Sequence, residues 1–193
     1  MTSVGYSKEI TCSFDFYKKI SKIKLLALDV DGVLTDGTIN MGVNGELFKA
    51  FNAKDGLGIS CALRNGLHVA IITGRKSQII HNRAEELGIK LLSEGVKDKY
   101  SELVRLGKEL NLTREQIAYM GDDLNDLAAF RAAEIKLAPN DAVEEVKAAA
   151  DYIASKNGGY GAVREVIEKI LSSQGLWQGI VSSYEFCGQG DKQ

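Results

Sequence analysis

The sequence predicts a doubly wound α/β fold: a Rossmann-like parallel sheet with helices on both faces and a β-hairpin inserted after the first strand. Three observations predict it. Short, almost continuously apolar runs alternate with longer amphipathic ones, the pattern of parallel strands buried on both faces. Several of those runs end in an acid, a hydroxyl or a glycine, as strands do when they carry a site at their carboxyl ends. One segment breaks the alternation with a strong turn signal, Asn44-Gly45.

In chain order the predicted strands are Lys24–Val30, Leu67–Thr73, Lys90–Leu92, Gln116–Met120, Glu134–Ala138 and Asp151–Ala154. The predicted helices are Gly58–Asn65, Lys76–Leu87, Lys97–Leu110, Asp123–Ala132, Ala142–Ala149 and Gly161–Leu171, with Gly66 and Gly88 placed as stops. The hairpin runs over 38–51, with Thr38–Met41 and Glu46–Phe51 as its arms. Its second arm is partly apolar on both faces, and a two-stranded ribbon alone is marginal in water, so it is expected to pack against something, such as a partner subunit. The stretch after Gln174 carries Trp177, Ile180, Val181, Tyr184 and Phe186, which is apolar for a free tail and predicts partial docking.

The composition bounds the rest. The chain has 193 residues, 45% hydrophobic and 26% charged, with one proline, Pro139. That is the balance of one globular domain spanning 1–193, and it excludes a disordered chain, a collagen or a coiled coil. The 24 basic and 26 acidic residues leave a formal charge of −2, which offers no global field for nucleic acid. No apolar run approaches membrane-spanning length. Lys8, Glu9, Asp15, Lys18 and Lys19 interrupt the start of the chain, where a secretory signal needs an unbroken apolar stretch. Cys12, Cys61 and Cys187 lie far apart and read as free thiols. A cytoplasmic protein is expected, with no nucleic-acid and no membrane partner.

The strand ends carry the chemistry. The first delivers Asp29-Val30-Asp31-Gly32; residues two apart in extended chain share a side, so two carboxylates can face one pocket. The second delivers Thr73-Gly74-Arg75, the third is followed by Lys97 and Lys99, and the fourth delivers Gly121-Asp122-Asp123 and then Asp126. Carboxylates gathered at one edge repel unless a cation sits among them, and oxygen ligands without His or Cys favour Mg²⁺. That makes phosphoryl transfer the natural chemistry, with a carboxylate nucleophile, and with a hydroxyl, backbone N–H groups and a lysine on the transferring oxygens. Asp123 also suits a helix N-cap. There is no P-loop and no complete dinucleotide fingerprint; Gly56-x-Gly58 lacks the third glycine.

The segments "LDVDGVLTDG", "IITGR", Lys99 after "EGVKD" and "GDDLND" resemble, in order, the four motifs of the haloacid dehalogenase superfamily. The short hairpin, "FNAKDGLGI", "TGRKSQIIHNRAEELGI" and "NGGYGAVREV" extend the resemblance over about 22–172, to the branch of phosphatases acting on 3-deoxy-D-manno-octulosonate 8-phosphate. The resemblance implies a phosphatase without a cap domain: a core over about 22–172, the hairpin over about 38–51 and a tail over about 174–193. It implies Asp29 as nucleophile and Asp31 as general acid and base. It implies Mg²⁺ held by Asp29, Asp31 (through its backbone carbonyl) and Asp122, with Thr73, Gly74 and Lys99 on the phosphoryl group. Asp123 and Asp126 would orient Lys99 or the metal's waters. The sugar acid would lie near Asp31, Asn52, Ala53, Lys54, Asp55, Gly56, Gly74, Arg75, Arg83 and Lys99. Lys54, Ser60 and Tyr160 depart from the basic residues common in that branch, which bears on contacts to the sugar acid and not on the catalytic set.

The resemblance also implies a homotetramer. A core without a cap leaves its site open, so neighbouring chains are expected to complete each site through the hairpin, with the tail as a mobile cover. The product would feed lipopolysaccharide precursor synthesis. Two rivals differ in specific residues. A phosphatase for a nine-carbon sugar-acid 9-phosphate would carry an acid where Arg75 stands. A phospho-accepting signalling domain would place its acid pair on the first strand and its phosphoacceptor later, the reverse of the order here.

Overall fold

The computed structural model describes residues 15–186. Six parallel strands form the main sheet in the order β5-β4-β1-β6-β7-β8: β1 (Leu25–Leu28), β4 (His68–Ile72), β5 (Leu91–Ser93), β6 (Ile117–Met120), β7 (Ile135–Ala138) and β8 (Tyr152–Ile153). β2 (Asn40–Gly42) and β3 (Gly45–Phe48) form the separate antiparallel hairpin. Strand β1 is central. Leu25 to Leu28 pair with His68 to Ile71 on one side and with Ile117 to Met120 on the other.

The apolar runs are continuous because each strand buries both of its faces. Leu26, Leu28, Val69, Ile71, Met120 and Leu137 point into one core layer, under α1 (Ala53–Arg64), α2 (Gln78–Leu87) and α6 (Ala162–Ser173). Leu25, Ala27, Ile72, Ile117 and Tyr119 point into the other, under α3 (Lys99–Glu109), α4 (Leu127–Phe130) and α5 (Glu144–Ala149). Neighbouring residues of a strand therefore serve opposite layers, which is the doubly wound arrangement.

The expected elements are present, and two of them differ in extent for identifiable reasons. Helix α1 begins at Ala53 and not at Gly58, because the Asn52 side chain caps it by accepting from the Lys54 N–H at 2.8 Å. Gly58 lies inside this helix because a Cβ there would sit 2.9 Å from Cδ of Arg164, so the close approach of α6 excludes a side chain. The helix expected over Asp123–Ala132 is a 3₁₀ turn, Leu124–Asp126, followed by the single turn of α4; the Asp126 carboxylate bonds back to the backbone before it and tightens the chain. The segment after Gln174 docks as α7 (Trp177–Phe186), with Ile180 buried in the first core layer and Arg164 stacked on Trp177. A helical segment at 15–20, not anticipated from the sequence, buries Ile20 and stacks Phe16 on Tyr152. Cys61 is buried and free, whereas Cys12 and Cys187 lie outside the described residues. Among the described residues, no helix is long and apolar enough to cross a membrane.

Candidate active site

β1, β4 and β6 are neighbours in the sheet, so what they carry past their carboxyl ends converges. Asp29 follows β1 directly, and its backbone N–H donates to the Met120 carbonyl at 3.0 Å, which keeps the chain on β6 as it leaves the sheet. The N–H groups of Val33, Leu34 and Thr35 all return to the Val30 carbonyl, closing a compact loop around Asp31 and Gly32. Gly32 has φ +86°, and a Cβ there would lie 2.0 Å from Oδ2 of Asp122, so only glycine lets the loop close over that carboxylate.

Asp126 organises the floor. It is fully buried, and its Oδ1 accepts from Lys99 Nζ (2.6 Å) and from the Tyr119 hydroxyl (2.7 Å). Its Oδ2 accepts from the backbone N–H groups of Asp122 (3.0 Å) and Asp123 (3.3 Å). Lys99, the first residue of α3, is thereby aimed at Asp29, with Nζ 2.9 Å from Oδ2. Burial works against the charge on Lys99, but Asp29 and Asp126 outweigh it and hold the ammonium above the usual lysine range. Burial, followed by the charge of Asp126, pushes the Asp29 carboxyl up to about 6 although Lys99 opposes it. Asp122 is pushed up to about 8 by burial and then by the charges of Asp126, Asp29 and Asp123.

Thr73 follows β4 and is buried; its N–H donates to the Ser93 carbonyl (2.9 Å) and its hydroxyl accepts from the Arg75 N–H (3.3 Å). Arg75 reaches back over the site, with Nε 3.6 Å from Oδ2 of Asp31. Asp123 is exposed and caps the 3₁₀ turn through the Leu124 N–H (2.7 Å).

The 52–56 stretch divides. Asn52 spends both of its polar atoms on backbone, the Lys54 N–H and the Gly159 carbonyl. Asp55 is buried and accepts from the N–H groups of Arg164 (2.7 Å) and Gly161 (3.2 Å), so its carboxylate fastens the start of α6. Ala53 and Lys54 are exposed. Arg83 lies against this stretch: its guanidinium is over the Phe51 ring, bonds Glu86 at 2.8 Å, and occupies the space a Cβ on Gly56 would need.

The sequence reasoning overlooked Lys49. Its side chain is buried at the base of the hairpin and ion-pairs with Oδ1 of Asp31 and with Oε1 of Glu46 (2.9 Å). Glu46 also accepts from the Ser77 hydroxyl. The available signal was a lone cation in the arm Leu47-Phe48-Lys49-Ala50-Phe51, three residues before the Asn52 stretch.

One carboxylate oxygen each from Asp29, Asp122 and Asp126 lie within 4.8 Å of one another. The oxygens of Asp126 are taken by donors, whereas Oδ1 of Asp122 is buried and receives no hydrogen bond. An orphaned carboxylate oxygen among acids with one nearby lysine lacks a cation, and an oxygen-only donor set suits Mg²⁺. These residues therefore fit Mg²⁺.

A doubly wound sheet with paired acids after its central strand, a hydroxyl on one neighbour and a lysine-braced acid cluster on the other defines a phosphoryl-transfer hydrolase of the haloacid dehalogenase class. The sequence pattern of the haloacid dehalogenase-like hydrolases matches residues 89–167. The 3-deoxy-D-manno-octulosonate 8-phosphate phosphatase KdsC of Escherichia coli K12 is 45% identical over 163 residues, 84% of this chain and 87% of that one. The crystal structure of the corresponding phosphatase from Moraxella catarrhalis, in complex with magnesium, phosphate and KDO, superposes with a TM-score of 0.85 at 43% identity, covering 88% of this chain and 98% of that one. A cobalt-bound Haemophilus influenzae relative superposes with a TM-score of 0.82 at 42% identity, covering 84% and 99%. The chain belongs to the 3-deoxy-D-manno-octulosonate 8-phosphate phosphatase family of the haloacid dehalogenase-like hydrolases, and it is a phosphatase acting on a phosphomonoester.

Proposed function

We propose that this phosphatase hydrolyses 3-deoxy-D-manno-octulosonate 8-phosphate to the free sugar acid and phosphate, through a covalent phosphoryl intermediate on Asp29, as one capless domain over 1–193. The observation that carries the reading is Asp29 itself: a buried carboxylate at the end of the central strand, 2.9 Å from the Lys99 ammonium and beside the unpartnered oxygen of Asp122. The named relatives support the substrate.

In the first step a carboxylate oxygen of Asp29 attacks phosphorus. The bond from phosphorus to the sugar oxygen breaks, its electron pair leaves with that oxygen, and Asp31 supplies the proton. In the second step Asp31 takes a proton from water, the water oxygen attacks phosphorus, and Asp29 is regenerated as phosphate leaves. The Thr73 hydroxyl, the Gly74 N–H and Lys99 hold the phosphoryl oxygens, and Asp126 keeps Lys99 aimed. Asp29, the Asp31 carbonyl and Asp122 would hold Mg²⁺, which when bound neutralises charge between carboxylates and phosphate. Asp123, which caps the turn after β6, would orient the metal's waters. Arg75, Arg83, Ala53, Lys54 and Gly56 line the approach of the sugar acid, and Asn52 and Asp55 hold that stretch in place. An arginine fork suits the carboxylate.

The same reading includes a homotetramer. The hairpin leaves Met41, Val43, Leu47 and Phe48 more than half exposed (60%, 102%, 63% and 55%), an apolar surface that a second copy would cover. It also includes a cytoplasmic enzyme serving lipopolysaccharide precursor synthesis, which the free thiol of Cys61 suits. The test is phosphate release across eight-carbon and nine-carbon sugar-acid phosphates, with and without Mg²⁺. The eight-carbon substrate is expected to be preferred, and Asp29→Asn to be inactive; wild-type turnover by Asp29→Asn would overturn the nucleophile assignment.

A further inference from the structure

Lys49 is built into the site in a way the phosphoryl chemistry above does not use. It comes from the residue after β3, its side chain is 1% exposed, and both of its ion-pair partners are acids near the reacting centre. Glu46 grips the ammonium from the hairpin, and the Ser77 hydroxyl, from the loop after β4, grips Glu46. The hairpin is thus fastened to the Thr73–Ser77 loop, and its lysine is held over Asp31. On Asp31 the two oxygens are not equivalent: Oδ1 faces Lys49, while Oδ2 has only the looser approach of Arg75 at 3.6 Å.

We propose that Lys49 is a positioning residue for the proton transfer: by occupying Oδ1 of Asp31 it fixes the plane of that carboxyl and leaves Oδ2 as the oxygen that hands the proton to the leaving sugar oxygen. The reason is donor and acceptor chemistry. In a protonated carboxyl the carbonyl oxygen is the stronger acceptor, so the oxygen that accepts from the ammonium is favoured as the carbonyl and the proton is favoured on the other oxygen. The proton on Oδ2 passes to the departing oxygen as that oxygen takes the electron pair of the broken bond to phosphorus, and Asp31 is left as a carboxylate still paired with Lys49. Without the lysine the carboxyl is free to turn about its last torsion and offers either oxygen. The proposal rests on the reading of Asp31 as the general acid.

The test compares Lys49→Met, Lys49→Arg, Glu46→Gln and Asp31→Asn in the full-length enzyme with Mg²⁺. Two kinds of substrate are used: the sugar-acid 8-phosphate, whose alkoxide leaving group needs a proton, and p-nitrophenyl phosphate, whose phenolate leaves without one. The quantity read is kcat/KM, which ends at the first irreversible step and so excludes hydrolysis of the intermediate. Lys49→Met is expected to lose about 10²-fold on the sugar phosphate, the scale of a small misplacement of a catalytic group, and far less on the aryl ester. Asp31→Asn should show the same selectivity more strongly, Lys49→Arg should recover most of the loss, and Glu46→Gln should fall between. Equal losses by Lys49→Met on both substrates, a rise in KM alone, or no change would overturn the proposal. Should Lys49→Met fail to fold, Glu46→Gln and Lys49→Arg decide the matter by the same ratio. If Asp31→Asn itself strikes both substrates equally, the acid assignment falls and the role of Lys49 falls with it. If the wild type rejects the sugar-acid phosphate yet hydrolyses glycerol phosphate, only the substrate reading falls, and the ratio is measured with glycerol phosphate.

Discussion

Two buried lysines face the same reacting centre, and they are held in different ways. Lys99 begins a helix packed into the core, and its partner Asp126 accepts from a lysine, a tyrosine and two backbone N–H groups. Lys49 comes from an inserted ribbon whose outer side chains are exposed, and its partners Asp31 and Glu46 each keep 20% side-chain exposure. The floor of the site is over-determined by the sheet and its loops. The rim is held by a few polar bonds between the hairpin and the loop after β4. The difference teaches that the geometry at Asp29 is a property of the core, whereas the environment of Asp31 depends on where the hairpin sits.

The largest effect should come from breaking the floor. Lys99→Met removes the cation between Asp29 and Asp126, and kcat should fall by about 10³-fold, the scale of losing one charge-stabilising donor. Because Asp126 and Asp29 are left buried without their counter-ion, stability should also drop by about 3–5 kcal/mol, read from the urea midpoint. A Lys99→Met enzyme as stable as wild type would mean that the floor is no more rigid than the rim.

Removing metal and varying pH should separate the two regions by sign. Asp29 and Asp122 are raised from 3.8 to about 6 and about 8, so the metal-free folded state holds more protons than the unfolded chain between those values. Their contribution to stability therefore falls as pH rises from about 4 through 8. Glu46 is shifted the other way: burial opposes the shift, but Ser77 and Lys49 hold its carboxyl below 4.5. Its contribution is present above 4.5 and is lost as pH falls through its lowered value. Chelation with EDTA should abolish activity and make the melting temperature drop between pH 5 and pH 8. Mg²⁺ should restore both, and Asp122→Asn should flatten the metal-free slope. A metal-free melting temperature that climbs over that range would contradict the acid cluster as the site of the cation.

Smaller effects belong to the rim. Phe48→Glu places a charge on the exposed face of the hairpin; if the proposed tetramer forms through that face, sedimentation at micromolar protein should show smaller species than wild type, with a weaker apparent affinity for substrate. Retention of full assembly would place the interface elsewhere. Ser77→Ala removes one hydroxyl that donates to Glu46 and should cost only about 0.5–1.5 kcal/mol, visible as a small shift in melting temperature with the Lys99 side undisturbed.

Much of the floor could be read from the residues in order. Continuous apolar runs mark parallel strands, and the carboxyl-end rule puts Asp29, Thr73 and Asp122 at one edge of the sheet once the runs are recognised. Those three positions are local consequences of where a strand stops, so a period and a spacing suffice to find them. The choice of Lys99 over Lys97 and the role of Asp126 came only from the resemblance to the four motifs. The rim follows no such period. Nothing in Glu46-Leu47-Phe48-Lys49 says that the lysine folds inward while Leu47 and Phe48 face out, because that depends on how the ribbon meets Asp31 and Ser77, which lie 18 and 28 residues from Lys49.

The same holds for Asp55 and for the carboxyl-terminal helix. Asp55 sits in a stretch that reads as substrate-facing, yet its carboxylate turns to N–H groups more than 100 residues away, at Gly161 and Arg164. The docking of Ile180 and the stacking of Arg164 on Trp177 depend on α6 lying beside α1. By itself the sequence determined the sheet, the acids at its carboxyl edge and the demand for a cation among them, since these follow from periodicity and charge along the chain. Only the tertiary structure decided which polar side chains are spent on holding the site and which are left to act, because a hydrogen bond is assigned by proximity in space, and distant segments compete for the same donors and acceptors.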